Sequence, residues 1–227
     1  MRHETIYPDF SGGKRLMFIT NPSPKQTIEA QVAQVIQGGG TWIQLRMKEG
    51  TDLSLAQKVA QFCEKAQPQI DLCIDDDIRC ALQVGATAVH LGKKDMPVLW
   101  AHEMAKSHQA ANRPFLVGAT ANTFRDIQWA VSQGASYIGL GPFRFTETKK
   151  RLSPILGLEG YKRIIEQCEQ AGIQIPIFAI GGITIDDVPS LMRTGVTGIA
   201  ISGAIINAED PVKATQQFIK TINNHKI

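Results

Sequence analysis

Eight short β-rich runs separated by longer stretches of helical period recur along the chain, and this alternation restricts its possible folds more than any other feature. The runs are RLMFIT (15–20), WIQLR (42–46), DLCID (71–75), AVHL (88–91), FLVG (115–118), YIGLG (137–141), IPIFAI (175–180) and GIAIS (198–202). The intervening segments carry helical stripes: residues 27–37 place Ile28, Val32, Val35 and Ile36 on one side, and residues 54–66 place Leu55, Val59 and Phe62 on one side. Such alternation builds a parallel sheet, because each helix returns the chain to the edge where the next parallel strand starts. Glycine marks the helix-to-strand returns at QGGG (37–40), VGAT (84–87), QGAS (133–136), AGI (171–173) and TGVTG (194–198), where a left-handed residue can end a helix. No linker, low-complexity tract or charge block interrupts the series, and the last unit closes with Asp210 as a cap and Pro211 in the first helical turn. Eight units in 227 residues predict an α/β fold, a single-domain (β/α)8 TIM barrel spanning 1–227, with residues 1–14 as an N-terminal extension. An open doubly wound sheet is the alternative arrangement of the same elements.

Composition narrows the partners. Lys plus Arg number 24 against 21 Asp plus Glu, so no global basic field calls for nucleic acid or a membrane surface, and any anion site must be local. The cysteines Cys63, Cys73, Cys80 and Cys168 form no C-x-x-C pair and fall largely in apolar patterns, where cysteine behaves as a small hydrophobe. Reduced thiols, no signal-peptide core at the N-terminus and no apolar run of about 18 residues make a cytoplasmic protein the expectation.

In a barrel of this kind chemistry gathers at the C-terminal ends of the strands. There the second strand offers Gln44, Arg46 and Lys48 at alternate positions, which project to one side while the chain stays extended. A ligand would use all three; an Arg–carboxylate pair inside the barrel mouth would account for the arginine alone. The third strand ends in Asp75, Asp76 and Asp77, and Asp95 follows the fourth. Adjacent strand ends lie about 5 Å apart, so a carboxylate from each could share a hard cation such as Mg²⁺ together with phosphate oxygens. A helix N-cap cluster is an equal reading of the three aspartates. After the sixth strand the segment GPFRFTETKKRLSP (141–154) brings Thr146, Thr148 and Lys149, groups suited to phosphate or diphosphate oxygens. GGIT after the seventh strand and SGA after the eighth hold Gly182, Ser202 and Gly203 where backbone N–H groups can receive a phosphate. His90, inside a strand, reads as a hydrogen-bonded core residue, and His102 and His108 as surface. Zinc spacings and a Ser-His-Asp arrangement are absent from the sequence. Two anion sites with a cation site between them ask for one substrate with a diphosphate and another with a phosphate.

From about Leu16 to Pro211 these motifs resemble, in order, those of the thiamine phosphate synthase family. Its Q-L-R-x-K appears as QLRMK, I-N-D-R as IDDD, H-L-G-Q-x-D as HLGKKD, G-x-S-x-H as GATAN, G-P-x-x-x-T-x-T-K as GPFRFTETK and A-I-G-G-I as AIGGI. The resemblance implies a transferase of thiamine biosynthesis that joins a pyrimidine methyl diphosphate to a thiazole phosphate and releases pyrophosphate. Its small-molecule substrates would be those two, with no nucleic-acid or membrane partner, and a homo-oligomer is compatible with it. It implies that Gln44, Arg46 and Lys48 meet the diphosphate and pyrimidine, that Asp76 and Asp95 hold Mg²⁺ and that Lys149 stabilises the departing pyrophosphate. Thr146 and Thr148, with Gly182, Ser202 and Gly203, would bind the thiazole phosphate, while Asp75 and Thr120 occupy further substrate-binding positions. Arg46, Lys48 and Lys149 are thus the expected catalytic side chains.

The chain departs from the pattern at Asp75 for Asn, Asp77 for Arg, Lys93 for Gln, Thr120 for Ser and Asn122 for His. A pairing of Asp77 with Lys93 would leave the net field little changed. Two rivals share the barrel: a thiazole tautomerase, which needs a proton-shuttling His where Asn122 stands, and a non-catalytic protein that binds thiazole or thiamine phosphate. The motifs QLRMK and TETKK favour the synthase over both.

Overall fold

The computed structural model of the chain describes residues 9–106, 114–145 and 154–225. Eight parallel strands close into a barrel in sequence order, β8 pairing back onto β1: β1 (Leu16–Ile19), β2 (Trp42–Leu45), β3 (Asp71–Asp75), β4 (Ala88–Leu91), β5 (Leu116–Ala121), β6 (Tyr137–Leu140), β7 (Ile177–Ile180) and β8 (Gly198–Ile201). Helices α1 (Ile28–Gln37), α2 (Leu53–Lys65), α3 (Ile78–Gln83), α4 (Val98–Lys106), α5 (Phe124–Ser132), α6 (Gly157–Gln170), α7 (Val188–Met192), α8 (Gly203–Ile206) and α9 (Pro211–Asn223) lie between and after them. The open doubly wound alternative is thereby set aside.

The local signals act as expected at most ends. Asp210 caps α9 by accepting from the Lys213 N–H at 3.0 Å, with Pro211 in the first turn. The five helix-to-strand returns after α1, α3, α5, α6 and α7 each contain a glycine at positive φ: Gly39 (90°), Gly85 (68°), Gly134 (85°), Gly172 (66°) and Gly195 (95°). Two details differ. In α2 the buried stripe is Ala56, Val59 and Cys63, and Phe62 is exposed, because small residues let the helix sit close to the strands while the bulky ring turns outward. β5 extends beyond residue 118 because Thr120 and Ala121 keep pairing with Gly139 and Leu140 of β6, which makes Thr120 a strand residue with a fixed direction.

Strand alternation divides the core into two layers. Outward residues such as Phe18, Ile43, Ile74, Val117, Ile138 and Ile199 pack under the helices, while Met17, Trp42, Cys73, Tyr137 and Phe178 fill the barrel interior. Phe10, from the segment before β1, enters that interior and stacks on Trp42 with ring centres 4.6 Å apart. Glycine makes the interior possible: a Cβ at Gly118 would lie 2.1 Å from the Tyr137 ring, and one at Gly198 2.6 Å from the Phe178 ring. These rings close the lower half of the barrel, so an opening can form only at the C-terminal end. All four cysteines are free and buried, and burial pushes the Cys63 thiol up to about 12, which keeps it neutral and unreactive.

Candidate active site

The uppermost inward position of each strand supplies Ile19, Gln44, Asp75, His90, Thr120, Gly139, Ile180 and Ala200, and together they floor a cavity of about 850 Å³ at the barrel mouth. Six of the eight are small or polar and the other two are isoleucines, in contrast to the aromatic layer below, which is why the barrel is open here. The loops above complete the walls with Arg46, Lys48, Asp76, Asp95, Gly182, Ser202 and Gly203. Every site residue anticipated from the sequence that lies among the described residues therefore faces one cavity. Thr146, Thr148 and Lys149 lie outside the described residues.

On the β2–β3 side, Asp75 is held by two side chains: Gln44 Nε2 donates to Oδ1 at 2.6 Å and Arg46 Nε lies 3.2 Å from Oδ2. The Arg–carboxylate pair considered from sequence is present, and it orients both Gln44 and Arg46 along the cavity wall. Thr20, fully buried, accepts from the Arg46 N–H at 2.9 Å and so pins the backbone just beyond β2. Nothing in the motif strings marks Thr20; only the strand register reveals it.

Asp76 adopts φ of +65°, a left-handed conformation uncommon for a residue other than glycine, while its N–H donates to the His90 carbonyl at 2.8 Å. Burial, the neighbouring charge of Asp75 and a hydrogen bond and charge from Asp95 push its carboxyl up to about 7, with Arg46 opposing. Asp95 also accepts from the Gly92 N–H at 2.6 Å, which turns its carboxylate back toward the β4 end. Two carboxyl groups held this close repel unless a proton or a cation lies between them. Among the described residues no group of three or more His, Cys, Asp or Glu side chains forms a metal cage. A cation at this pair would draw its other oxygens from substrate and water, the usual arrangement for Mg²⁺, so the donor set fits that ion.

The third aspartate takes the N-cap role. Asp77 accepts from the Cys80 N–H at 3.0 Å at the start of α3 and from Thr51 Oγ1 at 2.5 Å. It does not pair with Lys93. Lys93 Nζ instead lies 2.6 Å from Asp126 Oδ2, because Asp126, at the third position of the α5 capping box with Thr123, already faces the β4–β5 loops. The two charge departures are thus neutralised separately, each at a helix N-terminus. His90 Nε2 is 3.0 Å from Thr120 Oγ1, and a Cβ at Gly139 would crowd the His90 ring at 3.0 Å, so the histidine is a positioned, buried residue as its strand setting suggested. Asn122 donates from Nδ2 to the Gly141 carbonyl, which ties the β5 end to the start of the loop after β6.

Across the cavity Gly181 and Gly182 take φ of +100° and +67°, and a Cβ on Gly182 would lie 2.7 Å from the Phe145 carbonyl oxygen. Only glycine fits that crossing. Ser202 Oγ, at the end of β8, is buried and has no hydrogen-bond partner among the described residues. Phe143 is buried against Tyr161 and anchors the loop base, whereas Phe145 is exposed. His102 bonds to the Gly134 carbonyl on the helical surface, and His108 lies outside the described residues. Among the described residues no helix is long and apolar enough to cross a membrane.

The chain is similar to known proteins over most of its length. The family model described as thiamine monophosphate synthase matches residues 16–205. The thiamine-phosphate synthase of Bacteroides fragilis is 45% identical over 207 residues, covering 90% of this chain and 98% of its own length. That of Bacteroides thetaiotaomicron is 42% identical over 207 residues, covering 90% of this chain and 95% of its own. The solved thiamine phosphate pyrophosphorylase of Pyrococcus furiosus superposes with a TM-score of 0.77 at 31% identity, over 92% of this chain and 95% of its own. The chain belongs to the thiamine monophosphate synthase family.

Proposed function

We infer that the chain is a transferase that forms thiamine monophosphate by joining a pyrimidine methyl diphosphate to a thiazole phosphate, with release of pyrophosphate. The observation that carries this reading is that one cavity is lined by Gln44, Arg46 and Lys48, by the Asp76–Asp95 pair and, across from them, by the glycine turn of Gly181 and Gly182. A diphosphate on the first side and a phosphate on the second would bring the two ring systems together above the barrel floor.

Arg46 and Lys48 bind and orient the diphosphate as positive charges, and Gln44 and Thr120 meet the pyrimidine. Asp75 keeps Gln44 and Arg46 in place. Lys149 meets the departing pyrophosphate, while Thr146 and Thr148, with Gly182, Ser202 and Gly203, hold the thiazole phosphate. Asp76 and Asp95 would hold Mg²⁺, which when bound supplies positive charge to the leaving diphosphate oxygens. The C–O bond to diphosphate breaks first, and the thiazole nitrogen captures the pyrimidine methyl cation, so the side chains contribute positioning and charge stabilisation. The absence of a histidine at residue 122 argues against the tautomerase, because an amide does not shuttle a proton at neutral pH.

Incubation of the purified protein with both substrates and Mg²⁺ should yield a product with the mass of thiamine monophosphate; tight binding of both substrates without product would favour the binding protein. Asp95→Asn should raise the Mg²⁺ concentration needed for half-maximal turnover, and an unchanged magnesium response would place the cation elsewhere. Lys149→Ala should lower turnover about 100-fold or more, as loss of a charge-stabilising donor commonly does, with an unchanged urea midpoint.

A further inference from the structure

We propose that Arg144 is a positioning residue for the turn after β7: its guanidinium, clamped by Asp187, fixes the Gly182 carbonyl and thereby turns the next N–H toward the bound phosphate. The inference rests on the reading of that turn as the thiazole phosphate site. Residue 144 is one of the unspecified positions in G-P-x-x-x-T-x-T-K, and its positive charge invites the simpler idea that it meets a phosphate directly.

The hydrogen bonds point to the other role. Three successive carbonyls, Ile180, Gly181 and Gly182, accept from the Phe143 N–H (2.9 Å), the Arg144 N–H (3.0 Å) and Arg144 Nη1 (2.9 Å). In a trans peptide unit C=O and N–H point in opposite directions. The N–H groups of Gly181, Gly182 and Ile183 therefore face away from the Phe143–Arg144 segment, and all three residues line the cavity. Two of the three carbonyls are fixed by backbone, and among the described residues the third accepts only from the Arg144 side chain.

Among the described residues, three of that side chain's five N–H donors are engaged, both of those on Nη1 and one on Nη2. Nη1 and Nη2 bond to Asp187 Oδ2 (2.5 Å) and Oδ1 (2.8 Å), and the guanidinium lies over the Phe143 ring, 4.8 Å from its centre. Asp187 is fixed in turn by the Thr184 N–H and Thr184 Oγ1, both at 2.8 Å. A rigid path thus runs from the Thr184–Asp187 capping box through Arg144 to the Gly182–Ile183 peptide. The geometry uses the planar fork of arginine, which a lysine ammonium cannot reproduce.

Calorimetric Kd for thiazole phosphate and steady-state KM and kcat, measured for the wild type, Arg144→Met, Arg144→Lys, Asp187→Asn and the Arg144→Met/Asp187→Asn double variant, test this, with circular dichroism to confirm folding. Arg144→Met should weaken thiazole phosphate about 10- to 100-fold, as loss of pre-organisation does, with KM for the pyrimidine diphosphate and kcat at saturation little changed. Asp187→Asn should weaken it in the same direction, Arg144→Lys should rescue only in part, and the double variant should be no worse than Arg144→Met, the non-additivity of a shared path. Unchanged or tighter binding in Asp187→Asn alongside weak binding in Arg144→Met would make Arg144 a direct phosphate ligand and overturn the proposal. Unchanged affinity in both, with wild-type turnover intact, would overturn it while leaving the functional reading standing. A wild type that binds no thiazole phosphate would overturn both.

Discussion

Asp75 stands where the family pattern carries Asn, and its contacts give that exchange a measurable consequence. It binds Gln44 and Arg46 and places a negative charge next to Asp76, whose carboxyl is pushed up to about 7. Burial is the larger cause and Asp75 the next, so Asp75→Asn should lower the Asp76 value part of the way toward the usual carboxylate range near 4. Carboxyl-carbon NMR titration of the metal-free protein reads this shift; a value still at about 7 would assign the effect to burial and Asp95. An asparagine amide oxygen can still accept from Gln44 or Arg46, so the fold should be unaffected. Arg46 would lose its ion-pair partner and gain freedom to meet a diphosphate.

The helix N-termini around the mouth carry several of the substituted positions. Asp126 accepts from the Asn122 N–H and the Thr123 N–H, both at 2.9 Å, and from Lys93 at 2.6 Å. Burial alone would raise its carboxyl, but these bonds outweigh it and hold the group below its ordinary value. The stabilisation is therefore complete above the unfolded value near 4 and is lost as pH falls through the lower folded value. Asp126→Ala should cost about 1 kcal/mol at neutral pH, typical for a lost cap. In urea unfolding across pH, the gap from wild type should shrink below about pH 4; a gap that does not change with pH would show that the carboxylate charge contributes nothing. Sequence alone revealed the eight strands and the glycine returns, because period and turn chemistry are local. It also pointed to Gln44, Arg46, Asp75 and Asp95 at the mouth, because strand ends follow from strand assignments. It did not reveal that Lys93 chooses Asp126 over Asp77, or that Phe62 turns outward, since both depend on how neighbouring units pack. Arg144 is one of four Lys and Arg residues in the sequence of 141–154, and its partner Asp187 lies one βα unit away and shares no motif with it.

Across the whole molecule the barrel is divided into a closed aromatic floor and an open polar mouth, and the segment before β1 contributes to the floor through Phe10. Phe10→Ala should cost about 3–5 kcal/mol in urea unfolding, the usual range for a buried phenylalanine. A loss below about 1 kcal/mol would mean that the ring is not seated in the barrel in solution. The floor leaves the mouth as the place where two phosphorylated substrates can meet, and that meeting is the central claim. Pyrophosphate release by the purified protein, with the pyrimidine diphosphate, the thiazole phosphate and Mg²⁺ each omitted in turn, tests it most directly. Release that requires all three is the predicted result; no release with all three present, or release that persists without the thiazole phosphate, would contradict it.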